Sequence, residues 1–226
     1  MQVKLTKSVI TVGSWTLISR ILGMLREILL STFIGAGPLL DAFVAAFRLP
    51  NIFRRFFAEG AFNAAFVPLF AKRYESNMEP EEFANNVFAN LLTLLLILTS
   101  IAMVFMPGLV FLTAAGFASD QRFDLTVDFG RIMFPYILLI SLAALFSGIL
   151  NTTGRFAIAA AAPVILNLII VVALLTAWAT EHNIMVWLVW SIPIAGIIQL
   201  SLLWLCLLYT SPSPRDATLS RMPSSA

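Results

Sequence analysis

An all-α polytopic membrane protein is the fold class that this 226-residue sequence predicts, on three observations. Its residues are 60% hydrophobic and 12% charged, about half the charge of an ordinary soluble domain. The mean hydropathy is +0.93. Apolar runs recur between short polar segments, each near the ~20 residues a helix needs to cross the hydrocarbon. The formal charge of +2 does not mark a nucleic-acid binder, because the bases are scattered between apolar runs. The single Cys206 excludes an intrachain disulfide, and the single His182 leaves no His/Cys set with metal-ligand spacing.

Six transmembrane helices are expected. The first runs from about Ser8 to Phe33 and stops at the turn Gly35-Ala-Gly-Pro38. Lys4 and Lys7 before an apolar run imitate a secretory signal, but Arg20, Arg26 and Glu27 interrupt it, so it reads as a retained span. A long second segment covers Leu39 to Phe70 and leads into Lys72, Arg73 and an acidic loop. The third span is Phe83 to Leu112, the fourth Phe129 to Leu150, the fifth Ile158 to Ala179 and the sixth Met185 to Leu208. A polar loop, Thr113 to Asp128, and a tight turn, Asn151 to Arg155, separate them. Lys4, Lys7, Lys72, Arg73 and Arg155 fall on one side, which puts the N-terminus in the cytoplasm. Residues 1–208 thus form one transmembrane unit, and residues 209–226 turn abruptly to Ser and Pro with the composition of a disordered tail.

Charge is concentrated where it costs most. An ionised side chain at mid-bilayer costs roughly 2.5–3.5 kcal/mol on insertion scales, so it normally faces a bundle interior or a wet cavity. The second segment, about 35 residues, would be about 50 Å long as a helix, against about 30 Å of hydrocarbon. It must tilt, kink or unwind, and Pro50 is the natural place. Its midpoint is Arg54-Arg55. On a regular wheel, Asp41, Arg48, Arg55 and Glu59 share one stripe, while Arg54 points elsewhere. Arg20 and Glu27 share a face of the first span, with Arg26 about 120° from Arg20. A lone arginine near a span end is commonly an interfacial anchor. A surplus of guanidinium over carboxylate on two adjacent spans suits a bound anion, since guanidinium takes phosphate bidentately and stays charged. Pro107, Pro135, Pro163 and Pro193 read as kinks, the tryptophans as an interfacial belt, and Asn167 and Gln199 as interhelical hydrogen-bond groups. No phosphate-cradling glycine loop, nucleophile elbow or acid pair points to an enzyme.

Specific motifs add to this reading. Ser19-Arg-Ile-Leu-Gly23 with Arg26, Phe33-Ile-Gly-Ala-Gly37, Asp41-Ala-Phe43, Leu49-Pro-Asn51 with Arg54-Arg-Phe56, and Phe57-Ala-Glu-Gly-Ala-Phe62 resemble the N-terminal signature of the MurJ (MviN) lipid II flippases. Phe134-Pro-Tyr-Ile-Leu138, Ile149-Leu-Asn151 with Arg155-Phe156, Pro163 and Asn167 extend the likeness, which covers about residues 5 to 206. The resemblance implies a multi-pass bacterial inner-membrane transporter of the multidrug/oligosaccharidyl-lipid/polysaccharide exporter superfamily. The six helices would be the N-terminal lobe of a two-lobed, fourteen-helix fold that opens alternately to each side. The implied substrate is lipid II, an undecaprenyl-pyrophosphate-linked glycopeptide, with membrane lipids around it and no nucleic-acid partner. By the same resemblance, Arg20, Arg26 and Arg54 engage the pyrophosphate, while Asp41 and Glu59 serve function or gating, with Arg48 and Arg55 as supporting charges. The wheel favours Arg55 and the resemblance Arg54. No cofactor is implied, and the coupling ion stays open. The family continues with further spans, so the tail is expected to be non-native sequence joined to a fragment that lacks the C-terminal lobe and is inactive alone. Family prolines near Ala115 and Ala159 are absent. Two other readings remain: an exporter of another lipid-linked sugar or drug, or a non-transporting scaffold whose charges pair internally.

Overall fold

A computed structural model describes residues 2–55, 61–76 and 78–209. Those residues are helical apart from short turns, with no strand among them. The helices are α1 (Gln2–Phe33), α2 (Pro38–Arg54), α3 (Ala61–Glu75), α4 (Pro80–Val104), α5 (Met106–Thr113), α6 (Gln121–Met133), α7 (Tyr136–Thr152), α8 (Phe156–Ala179) and α9 (Ile184–Leu208). A short 3₁₀ turn, Ala115–Phe117, joins α5 to α6.

Four stretches are long and apolar enough to cross a membrane: Pro80–Val104, Gln121–Thr152, Ala157–Ala179 and Ile184–Leu208. The first expected span is α1, whose 32 residues make a helix of about 48 Å, with Arg20, Arg26 and Glu27 in its course. Of the second, the described residues form α2, of 17 residues, and α3, of 15.

Proline chemistry accounts for most departures from the expected boundaries. The third expected span is two helices, α4 and α5, parted at Phe105 with Pro107 in the first turn of α5. Proline has no N–H to give a preceding carbonyl, so it starts helices more readily than it continues them. The fourth likewise begins early, as α6, and is interrupted at Phe134-Pro135 before α7. The expected loop from Thr113 to Asp128 therefore holds the first two turns of α6, capped by Asp120. Pro50, expected to break its segment, lies inside α2, which continues to Arg54. One lost bond there costs less than unwinding, because hydrocarbon offers no partner to freed backbone groups. Pro163 and Pro193 are likewise inside continuous helices. At Gly154, φ of +81° makes the turn into α8, a conformation that glycine adopts without strain.

The bundle is built around α7, α8 and α9. α8 packs against α1 and α9, and α7 packs against α9 and α8 and receives α3 and α4. α2 lies chiefly along α6. Tyr136, Leu145 and Leu150 of α7, Ile170 and Leu174 of α8, and Leu188, Ile192 and Leu203 of α9 are fully buried and form the core. The outward faces are equally apolar: Leu94, Ile97 and Ile101 on α4, Val172 and Leu175 on α8, and Ile197 and Leu205 on α9 are exposed. A helix apolar on every side fits lipid, where no polar face is needed. Trp178, Trp187, Trp190 and Trp204 stand on the same outer surface.

Candidate functional site

A cavity of about 550 Å³ opens among α1, α2, α7, α8 and α9. Arg26 enters it from α1, and Arg54 and Arg55 from the C-terminal end of α2. Consecutive residues on a regular helix point about 100° apart. Both arginines nevertheless line the cavity, and Arg55 sits in a wider, π-type turn. Such turns re-aim side chains and recur at functional sites. Among the described residues no Asp or Glu lines this cavity. Three guanidinium groups thus converge on one cavity. This is an anion-attracting arrangement.

Arg26 is the most closely defined of the three. Its Nη1 donates to Oδ1 of Asn167 on α8 at 3.0 Å, and its Nη2 to Oε1 of Glu27 at 2.5 Å. Its Nε is buried and has no hydrogen-bond partner among the described residues. Glu27 is 65% exposed against 22% for Arg26, so the ion pair sits at the solvent-facing edge. Arg54 is half-buried and Arg55 exposed.

The opposite wall is neutral and polar. Tyr136 Oη donates to Oε1 of Gln199 at 3.3 Å, and Gln199 Nε2 donates to the Ala162 carbonyl at 2.5 Å. Both side chains are buried and their hydrogen bonds tie α7, α8 and α9 together. Asn51, Ser19 and Ser147 complete the polar lining.

The other expected site residues lie elsewhere. Arg20 is exposed on α1 and is not among the residues lining the cavity. Asp41 and Arg48 line a separate pocket of about 440 Å³ beside Phe117. Glu59 lies outside the described residues. The stripe of Asp41, Arg48, Arg55 and Glu59 drawn from a regular wheel therefore divides, with Arg55 in one pocket and Asp41 and Arg48 in another. Asp41 also has a partner that its spacing does not reveal. Arg122 Nη1 approaches Asp41 Oδ2 at 3.2 Å, its Nε approaches Asp120 Oδ2 at 2.5 Å, and its guanidinium lies 4.4 Å from the Phe117 ring centre. Ser19 and Asn51 stood in the quoted motifs with no role assigned to them, and Arg122 carried no signal linking it to Asp41, which lies 81 residues away and is met only through packing.

The comparisons with known proteins agree with this architecture. The family model described as lipid II flippase MurJ matches residues 30–216, eight residues past the end of α9. A protein of Rhizobium tropici named "Probable lipid II flippase MurJ" is 47% identical over 208 residues, covering 89% of this chain and 39% of that protein. The "Lipid II flippase MurJ" of Burkholderia cenocepacia is 39% identical, covering 86% of this chain and 38% of its own. A solved "Lipid II flippase MurJ, inward closed conformation" superposes with a TM-score of 0.75 at 27% identity, over 91% of this chain and 43% of that one. The chain spans about two-fifths of the length of the curated relatives it matches. With the match covering most of its residues, this chain belongs to the lipid II flippase MurJ family.

Proposed function

We propose that this chain is the N-terminal lobe of a flippase that carries lipid II from the cytoplasmic to the periplasmic leaflet. In this reading the lobe has six spans: α1, α2 with α3, α4 with α5, α6 with α7, α8, and α9. The remaining spans of a two-lobed, fourteen-helix fold lie outside the chain. Its N-terminus faces the cytoplasm, by the distribution of Lys and Arg.

The observation that carries the proposal is the convergence of Arg26, Arg54 and Arg55 on one cavity that no described carboxylate lines. A pyrophosphate has several anionic oxygens, and guanidinium groups meet them with paired, charge-assisted hydrogen bonds. Arg26 and Arg54 take the pyrophosphate, the neutral wall formed by Tyr136 and Gln199 bounds the headgroup space, and the prenyl chain stays in the bilayer. Arg20, exposed on α1, meets the headgroup only if α1 or the second lobe brings it inward. Rocking of one lobe against the other then exchanges the side to which the cavity opens. No bond is made or broken, so the chain is read as a transporter and not an enzyme.

A full-length flippase carrying this lobe with Arg54→Ala tests the proposal. Loss of one charged hydrogen-bonding group should reduce lipid II flipping in reconstituted vesicles by about tenfold or more. Flipping at the unsubstituted rate would remove Arg54 from the substrate site.

A further inference from the structure

Asn167 lies in the fifth expected span, and its amide is placed between two helices that are far apart in sequence. Its Nδ2 donates to the Ser19 carbonyl at 3.0 Å and lies 3.3 Å from Ser19 Oγ, while its Oδ1 accepts from Arg26 at 3.0 Å. These contacts leave one orientation of the amide. Turned over, it would set its oxygen against the Ser19 carbonyl and its NH₂ against a guanidinium, replacing two attractions with two repulsions.

We infer that Asn167 is the positioning residue that holds the Arg26 guanidinium in the cavity, aimed by its anchor on the Ser19 backbone. The inference rests on the reading of that cavity as a pyrophosphate site. The chemical type matters as much as the place. A carboxylate at 167 would hold Arg26 at least as firmly, yet it would cancel the charge on which the anion depends. The asparagine oxygen orients the guanidinium and leaves it cationic. Two of its five N–H groups are then occupied, one by Asn167 and one by Glu27, and the buried Nε–H has no hydrogen-bond partner among the described residues. Glu27 lies at the exposed edge, so the inward hold comes from α8.

The test uses the purified 226-residue chain in lipid nanodiscs, with ¹⁵N-labelled arginine and the Arg26 signal assigned through Arg26→Lys. In the parent chain the Arg26 Nη signals should be resolved, because rotation of the held group is slow. Asn167→Leu should merge them, and Asn167→Ser should do the same if the leucine variant does not fold. Asn167→Asp should keep them resolved. Calorimetric titration with inorganic pyrophosphate should show binding weakened about tenfold by Asn167→Leu and by Asn167→Asp. Neither substitution should weaken it further in an Arg26→Gln background. Unchanged Nη signals in both neutral variants would overturn the inference, since Glu27 would then suffice. An equal loss of affinity with and without Arg26 would overturn it too. If the parent chain binds no pyrophosphate, the reading of the cavity fails, and the Nη signals still decide whether Asn167 positions Arg26.

Discussion

Asp120 begins α6 by accepting the backbone N–H of Arg122, and it also receives that residue's side chain. The Arg122 side chain is the main reason its carboxyl is held below the ordinary value of 3.8; burial opposes the shift, and the Arg122 backbone N–H supports it. A carboxyl whose value is lowered by folding adds stability above its unfolded value, and that stability is lost as the pH falls through the lowered folded one. Melting temperatures measured from pH 7 down to pH 3 should therefore decline at the acid end, and Asp120→Asn should flatten that decline. The Arg122–Asp41 pair is another matter, since its members are 29% and 51% exposed. Exposed pairs contribute about 0–1 kcal/mol, so Asp41→Asn should shift the unfolding free energy by less than that. A full-length flippase that lost transport on this substitution with its melting temperature intact would show that Asp41 acts in motion and not in stability. At this scale the sequence was legible in part. The surplus of arginine on the first two expected spans could be read from the residues themselves. The separation of Arg20 from Arg26, and of Asp41 and Arg48 from Arg55, could not, because a helical wheel knows nothing of which neighbour each face meets.

Between elements, two glycines mark close approaches of different kinds. A Cβ on Gly196 would fall 2.8 Å from Tyr136 Cδ2 and 3.0 Å from Leu139 Cβ, so α9 lies against rigid parts of α7. A Cβ on Gly130 would meet Met106 Sδ at 2.9 Å, the far part of a flexible side chain. Gly196→Ala should therefore destabilise the bundle by about 1–3 kcal/mol through overpacking. Gly130→Ala should be close to neutral, since the thioether swings aside and alanine favours helix by roughly 0.8–1 kcal/mol. Unfolding of each variant in detergent micelles by denaturant titration measures the difference. A costlier change at Gly130 would contradict the assignment of the rigid contact to α7 and α9. The helices themselves were legible from apolar runs, and α8 and α9 begin and end within two residues of where the sequence put them. The breaks at Phe105 and Phe134 were legible only as kinks at Pro107 and Pro135, not as boundaries between separate helices. Proline marks a possible discontinuity in sequence, but whether it starts a helix, as Pro107 does, or lies within one, as Pro50 does, depends on what surrounds the freed backbone.

As a whole, the molecule is a multi-pass protein of the bacterial inner membrane, built as one bundle around α7, α8 and α9. It spans about two-fifths of its relatives' length, and alternating access needs a second body to rock against. Expressed alone in a flippase-depleted bacterium, the 226-residue chain should not restore growth; colonies at the frequency given by an intact flippase would refute the two-lobed mechanism. The pairing of α1 with α8 also bears on how the bundle is made. Arg26 and Asn167 are 141 residues apart. At about 5–20 residues per second, roughly 7 to 28 seconds of synthesis separate them. Throughout that interval a guanidinium already committed to the first helix has no amide to receive it, while Glu27 emerges from the ribosome beside it. The adjacent carboxylate thus lets a costly charge wait at the membrane until the helix that will hold it arrives.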